Sequence, residues 1–186
     1  VAVWQAHCPA HARTIPMLPV LELTRSFFAI APTDTPAEAR RKVAGTLTLL
    51  DPGFRDDVPL AFDLLQIASP EHPLEPQGPE EHRARLVGFI RRLFAARSAQ
   101  QPAVLFLDDV HWIDPASDAL LGELVDVAAV TRTLLLLNFR PEYAAPWMDR
   151  PAYRYIPVEP LGDADLDALL QGLLGDDPSV VPLRRR

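Results

Sequence analysis

The chain is poor in cysteine and in basic residues, and both shortages exclude classes of protein. Cys8 is the single cysteine among 186 residues, so no internal disulfide can form and a disulfide-stapled secreted scaffold is excluded. Lysine and arginine number 18 against 25 acidic residues, with a formal net charge of −7. We therefore predict a cytoplasmic location and no direct nucleic-acid binding by this segment.

Long apolar runs and a signal peptide are also missing from the sequence. No apolar stretch approaches the roughly 20 residues needed to span a bilayer, and no charged-then-apolar leader opens the chain. The chain is 48% hydrophobic and 23% charged, which is typical of a globular domain. We therefore predict one globular domain without a membrane partner.

Apolar runs alternate with segments of helical periodicity along the chain, which predicts an α/β fold with a parallel sheet. One helix start is especially clear, because Thr35, Pro36 and Glu38 form the pattern of a capping box. The loop at 68–79 is rich in proline. The predicted strands are 1–5, 103–108, 133–138 and 154–158, and the predicted helices are 17–29, 35–50, 57–67, 80–99, 115–128 and 164–174.

The most informative segment is 104–114, which reads VLFLDDVHWID. A run that is apolar at every position predicts a strand buried on both faces. Asp108 and Asp109 then fall at its carboxyl end, where open α/β sheets bind ligands. Carboxylates there can hold a hydrated Mg2+ and orient a water molecule. From these residues alone, a buried strand that ends in an acidic turn remains an equal alternative.

The longer stretch VLFLDDVHWIDPAS resembles the Walker B segment of the STAND branch of the AAA-like ATPases. It is most similar to modules attached to class III adenylate/guanylate cyclases and to large LuxR-type regulators. TRTLLLLNFRPEY, residues 131–143, resembles the following core strand with its sensor position, and residues 15–30 and 145–170 resemble flanking parts. The resemblance implies a three-layer P-loop NTPase sheet and the cofactors ATP and Mg2+.

The resemblance also implies roles for individual residues. Asp108 would hold Mg2+ through water, and Asp109 would polarise the attacking water. Asn138 would act as a sensor of the γ-phosphate or of that water, and Arg140 could meet phosphate through its planar guanidinium. The alternatives are a helix-capping role for Asp109, a turn-forming role for Asn138 and a plain surface position for Arg140.

The phosphate-binding loop of such a module, G-x-x-x-x-G-K-[ST], is absent from the 186 residues. Lys42 is the only lysine, and it lies in a predicted helix without a glycine-rich turn before it. We therefore expect residues 1–186 to be a partial ATPase domain that lacks the P-loop strand and helix and is inactive alone. In the intact protein, ATP binding would switch a fused cyclase or DNA-binding output domain.

Two other functions fit parts of the sequence. One is a degenerate NTPase fold that serves as a non-catalytic scaffold, and the other is a metal-dependent hydrolase built on Asp108, Asp109 and Asp114. We predict instead that Asp114, which precedes Pro115, caps the next helix. The pattern His7-Cys8-x-x-His11 invites a zinc interpretation, but no second ligand pair with suitable spacing accompanies it, so a loop is the favoured interpretation.

Overall fold

The structure is a computed structural model that describes residues 1–10 and 15–175. The chain divides into two units, Val1–Ala152 and Tyr153–Arg186. In the first unit the strands are β1 (Ala2–His7), β2 (Ala103–Asp108) and β3 (Thr133–Leu137), and the α-helices are α1 (Leu18–Phe27), α2 (Pro36–Leu50), α3 (Val58–Leu64), α4 (Pro79–Gln100) and α5 (Pro115–Val130). Short 3-10 helices lie at Pro52–Asp57, Val110–Trp112 and Pro146–Asp149. In the second unit the structure describes α6 (Asp163–Leu174).

The three strands form one parallel sheet in the order β1-β2-β3. His7 pairs with Asp108 across β1 and β2, and Leu107 pairs with Leu137 across β2 and β3. The predicted α/β class with a parallel sheet is therefore confirmed. All three carboxyl ends meet at the same edge of the sheet, which is the edge where such folds bind their ligands.

One face of the sheet is buried against the helices. Trp4, Ala6 and Leu105 alternate with more exposed neighbours along β1 and β2, as the period of two in a strand requires. The Trp4 ring packs 4.8 Å from the Phe27 ring of α1 and 6.3 Å from the Phe94 ring of α4, measured between ring centroids. This aromatic cluster anchors α1 and α4 to the sheet.

The opposite face of the sheet is open at β3. Leu134 and Leu136 point away from the helices of the core, and they are 59% and 49% exposed to solvent. Among the described residues, β3 hydrogen-bonds to β2 alone, so its outer edge has no strand partner. Side chains of α1, α4 and α5 form one core with the buried side chains of β1 and β2.

The capping box at the start of α2 is confirmed. The Thr35 side chain accepts a hydrogen bond from the Glu38 backbone, and the Glu38 carboxylate accepts one from the Thr35 backbone at 2.8 Å. The Thr35 hydroxyl also donates to Glu38 Oε2 at 2.7 Å. This hydrogen bond, together with the one from the Thr35 backbone N–H, holds the pKa of Glu38 below its usual value. The local sequence therefore defines this helix start without help from distant residues.

The strand predicted at 154–158 is wrong, because the structure shows no strand in those residues. The segment is apolar at Tyr155, Ile156 and Val158, and all three are exposed. A strand needs a hydrogen-bonded neighbour as well as suitable side chains, and Pro157 has no N–H to donate. The helix predicted at 164–174 is confirmed as α6.

Candidate functional site

The candidate site lies at the carboxyl edge of the sheet, where backbone hydrogen bonds hold the three strand ends together. The Cys8 backbone N–H donates to the Asp108 carbonyl at 2.9 Å, and the Asn138 N–H donates to the Leu107 carbonyl at 3.1 Å. The sheet register therefore continues for one residue beyond the strands. It brings His7, Asp108 and Asn138 into one row.

Asp109 begins the turn that follows β2 with a left-handed backbone, at φ 57° and ψ 40°. Aspartate tolerates this conformation better than most residues. The turn directs the chain into the 3-10 helix at Val110–Trp112, for which Asp109 makes no side-chain capping hydrogen bond. The side chains of Asp108 and Asp109 are 39% and 40% exposed, so both carboxylates are accessible to a ligand.

Two histidines, which the sequence did not assign to the acidic site, lie against these carboxylates. His7 Nδ1 is 3.6 Å from Asp108 Oδ2 and 3.9 Å from Asp109 Oδ2. On the other side, His111 Nδ1 is 3.8 Å from Asp109 Oδ1. The signal that could have located His7 is its place at the end of β1, since β1 and β2 are parallel neighbours that end together.

Asp114 caps α5, as predicted. Its Oδ1 accepts hydrogen bonds from the backbone N–H groups of Ala116 and Ser117, each at 3.1 Å, and the residue is 1% exposed. One carboxylate oxygen of Asp114 is thus used by the start of the helix. This structural use weakens the case for a hydrolase site that includes Asp114.

Asn138 directly follows β3, and Arg140 lies two residues further along the chain. Both residues are exposed. Arg140 lines a cleft of about 550 Å³ together with His111, Trp112 and Tyr143. The Tyr143 hydroxyl donates to the Asp118 carboxylate at 2.6 Å, and burial beside that carboxylate raises the Tyr143 pKa. Asn138 therefore belongs to the strand-end row, whereas Arg140 belongs to an adjoining cleft. His111 lines that cleft and also lies beside Asp109.

The Cys8 side chain lies inside the fold, away from solvent. Desolvation together with the nearby carboxylates raises the pKa of its thiol to about 12. The zinc interpretation of His7-Cys8-x-x-His11 is not tested, because His11 lies outside the described residues.

Lys42, the only lysine of the chain, takes part in hydrogen bonds within the fold. Its Nζ donates to Asp34 Oδ2 at 2.6 Å and to the Ala29 carbonyl at 2.8 Å, and the hydrogen bond from Lys42 lowers the pKa of Asp34.

Comparison of the sequence with known proteins places the chain in a family. The family model for the AAA ATPase domain matches residues 1–137. The chain belongs to the AAA ATPase domain family. The matched part of the AAA ATPase domain includes Asp108 and Asp109 and ends at Leu137, one residue before Asn138. The three-stranded parallel sheet is consistent with a fragment of the P-loop NTPase-like AAA fold.

One curated relative of this AAA ATPase domain is an uncharacterized protein of Rhizobium meliloti (strain 1021). It is 40% identical over 84 residues, which are 45% of this chain and 8% of the relative. The matched segment is thus a small part of a much longer protein. No solved structure matches the chain significantly.

AAA ATPase domains generally bind ATP together with Mg2+, and the donor set at the strand ends fits such an ion. The two carboxylates offer the oxygen ligands that Mg2+ prefers, and their exposure leaves room for its water shell. Asp108 and Asp109 are the residues that would hold the ion.

Among the residues that the structure describes, no helix is both long and apolar enough to cross a membrane.

Proposed function

We propose that the chain is the Walker B and sensor part of a STAND-type ATPase module that acts as a nucleotide-dependent switch. The observation that carries the proposal is the convergence of strand-end groups on one edge of the sheet. Asp108 and Asp109 follow β2, and Asn138 follows β3, whose backbone is hydrogen-bonded to the turn after β2. Ligand-binding sites of open α/β sheets are built in this place.

Each of these residues has a proposed role in handling ATP. Asp108 holds Mg2+ through water, and bound Mg2+ offsets the negative charge of the phosphates. Asp109 orients the attacking water and accepts its proton, and Asn138 contacts the γ-phosphate or that water. Arg140 reaches phosphate from the neighbouring cleft, where its planar guanidinium can make paired hydrogen bonds.

The open part of the sheet supports a longer parent module. A P-loop strand that pairs with the outer edge of β3 would satisfy that strand's remaining N–H and C=O groups. The helix that follows such a strand would cover the exposed Leu134 and Leu136. We therefore propose that the phosphate-binding loop belongs to a part of the parent protein outside this sequence.

We further propose that the module switches a fused output domain, which is either a nucleotide cyclase or a DNA-binding regulator. The proposal rests on the resemblance of residues 104–117 to modules of that kind. The Rhizobium meliloti relative supports it only in part, because its length leaves room for other domains. Slow hydrolysis would then serve to reset the switch rather than to supply work.

The second candidate is a non-catalytic scaffold with a degenerate NTPase fold. The specific observation in its favour is the absence of a phosphate-binding loop from the 186 residues, together with the structural use of Lys42. A scaffold would keep the fold and the strand-end carboxylates without binding ATP. The two candidates therefore differ in whether the parent protein binds nucleotide at all.

The experiment is a measurement of ATP binding by the parent protein, with Mg2+ and without it. Asp108→Ala should weaken the Mg2+-dependent binding, whereas the matched control Asp56→Ala, at an exposed acid of the 3-10 helix Pro52–Asp57, should leave it unchanged. A parent protein that does not bind ATP would favour the scaffold. Binding that is equal in wild type and Asp108→Ala would overturn the role of Asp108.

A further inference from the structure

We propose that Tyr143 is a positioning residue for Arg140, and that its hydrogen bond to Asp118 fixes the place of the Arg140 guanidinium. The inference rests on the proposed function, in which Arg140 reaches the phosphates of ATP. Tyr143 lies three residues after Arg140 in the loop that follows β3, and Asp118 lies in the first turn of α5. Neither residue has a direct contact with the nucleotide in that proposal.

The loop after β3 is held at its beginning by backbone hydrogen bonds. The Asn138 N–H donates to the Leu107 carbonyl at 3.1 Å, and the Asn138 carbonyl accepts from the Val110 N–H at 2.9 Å. Arg140 lies two residues further on, and each residue of a chain has two soft backbone dihedrals. The hydrogen bonds at Asn138 therefore do not by themselves fix the place of the Arg140 side chain.

The second attachment of the loop is made by the Tyr143 hydroxyl. It donates to Asp118 Oδ1 at 2.6 Å, a length typical of a hydrogen bond from a hydroxyl to a carboxylate, which is stronger than one between neutral groups. Asp118 lies at the N-terminal end of α5, where the helix dipole favours negative charge. Desolvation, together with the hydrogen bond to Asp118, raises the pKa of Tyr143, so the hydroxyl remains a donor at neutral pH.

A tight turn connects this attachment to Arg140. The Tyr143 backbone N–H donates to the Arg140 carbonyl at 3.0 Å, which closes a four-residue β-turn from Arg140 to Tyr143. Pro141 occupies the second position of this turn, where its fixed φ suits the common turn types. The place of Tyr143 therefore determines the place of the Arg140 backbone.

The Tyr143 ring has packing partners that do not depend on its hydroxyl. Its centroid lies 5.3 Å from that of the Phe139 ring and 6.1 Å from that of the Trp147 ring. Trp147 is 4% exposed, and its indole N–H donates to the same oxygen of Asp118 at 3.5 Å. Replacement of Tyr143 by phenylalanine should thus keep the ring packing and remove only the hydrogen bond.

The cleft gives the position of this loop a functional consequence. Arg140 and Tyr143 both line it, and Arg140 is exposed, so its guanidinium is accessible to an anion. A guanidinium recognises phosphate through paired hydrogen bonds in a fixed planar geometry. A shift of the Arg140 backbone would therefore weaken those paired bonds even though the side chain itself is unchanged.

The test measures kcat/KM for ATP hydrolysis by the parent protein, and circular dichroism checks that each variant folds. Tyr143→Phe should lower kcat/KM by about tenfold or more, since displacement of a positioned group by about 1 Å can cost about 100-fold. Asp118→Ala should have a similar effect, and Asp118→Asn a smaller one, because the amide retains an acceptor oxygen. The matched control is Tyr155→Phe, which removes a hydroxyl from a 56% exposed tyrosine outside the loop and should match wild type.

A double-mutant cycle with Arg140→Ala separates positioning from a general structural effect. If Tyr143 acts through Arg140, Tyr143→Phe should change kcat/KM by less than about twofold in the Arg140→Ala protein. Equal losses in both backgrounds would overturn the inference, because Tyr143 would then act independently of Arg140. An Arg140→Ala protein that is as active as wild type would also overturn it.

The outcome is separate from that of the proposed function. A parent protein that hydrolyses ATP equally well as wild type and as Tyr143→Phe keeps the proposed function and overturns the inference alone. A wild-type parent that neither binds nor hydrolyses ATP overturns both, and measurement of ATP binding by wild type identifies this case.

Discussion

The backbone N–H of Val110 donates a hydrogen bond to the carbonyl oxygen of Asn138 at 2.9 Å. This bond joins the turn after β2 to the residue after β3, and Asp109 is the residue immediately before Val110. The hydrogen bond therefore fixes the turn after β2 and the residue after β3 relative to each other. In a switch module, such a link would couple the residue that orients water to the residue that senses phosphate.

Asp109→Asn in the parent protein should leave ATP affinity nearly unchanged and reduce hydrolysis about 100-fold or more. The substitution removes a proton acceptor but no phosphate contact, and asparagine tolerates the left-handed backbone at this position. Binding titrations and single-turnover hydrolysis separate the two effects. Turnover equal to that of wild type would show that Asp109 does not handle the attacking water.

The 186-residue chain should not hydrolyse ATP above background. It contains no phosphate-binding loop, and the strand-end carboxylates repel a polyanion when no such loop holds it. Phosphate release measured with Mg2+ present checks this expectation. Turnover that disappears in Asp109→Asn would contradict it, because the activity would then belong to this site.

Asp114→Ala should lower the free energy of unfolding by about 1–2 kcal/mol, since it removes an N-cap that serves two backbone N–H groups. Urea unfolding followed by circular dichroism measures the change. Asp126→Ala is the control, because Asp126 forms an exposed pair with Arg150 at 3.4 Å, and such pairs contribute about 0–1 kcal/mol. Equal losses in both variants would speak against the capping role.

Cys8 should resist alkylation in the folded protein and react readily in urea. It is buried, and its pKa of about 12 leaves roughly one thiolate in ten thousand at pH 8. Since the folded pKa exceeds the usual 9.0, the neutral thiol contributes stability that is present below pH 9 and is lost as the pH rises towards 12. Cys8→Ala should lack this part of the pH dependence, and rapid labelling of the native chain would refute the burial.

Leu134→Thr combined with Leu136→Thr should reduce self-association of the chain. Both leucines are exposed on the open face, where apolar patches promote aggregation, and threonine retains a strand-forming side chain. Light scattering over a concentration series measures the effect. Leu135→Thr is the matched control, because Leu135 packs against the core and its replacement should destabilise the fold without improving solubility.

Local signals were enough to predict most of the elements near the site. The apolar run before Asp108 and Asp109 predicted β2, the leucine run predicted β3, and the caps at Thr35 and Asp114 predicted two helix starts. Each of these signals comes from residues that lie close together in the sequence. They depend on side-chain periodicity and on hydrogen bonds between near neighbours, which a sequence displays directly.

Only the tertiary structure decided which distant groups meet. His7 approaches Asp108 because parallel strands pair in register, and no local pattern in the chain records that pairing. The segment 154–158 failed as a strand for a related reason, since strand formation depends on a partner as well as on its own residues. Sequence alone therefore determined the elements and the acidic strand end, whereas the strand pairing determined that two histidines border the carboxylates and that one sheet face is open.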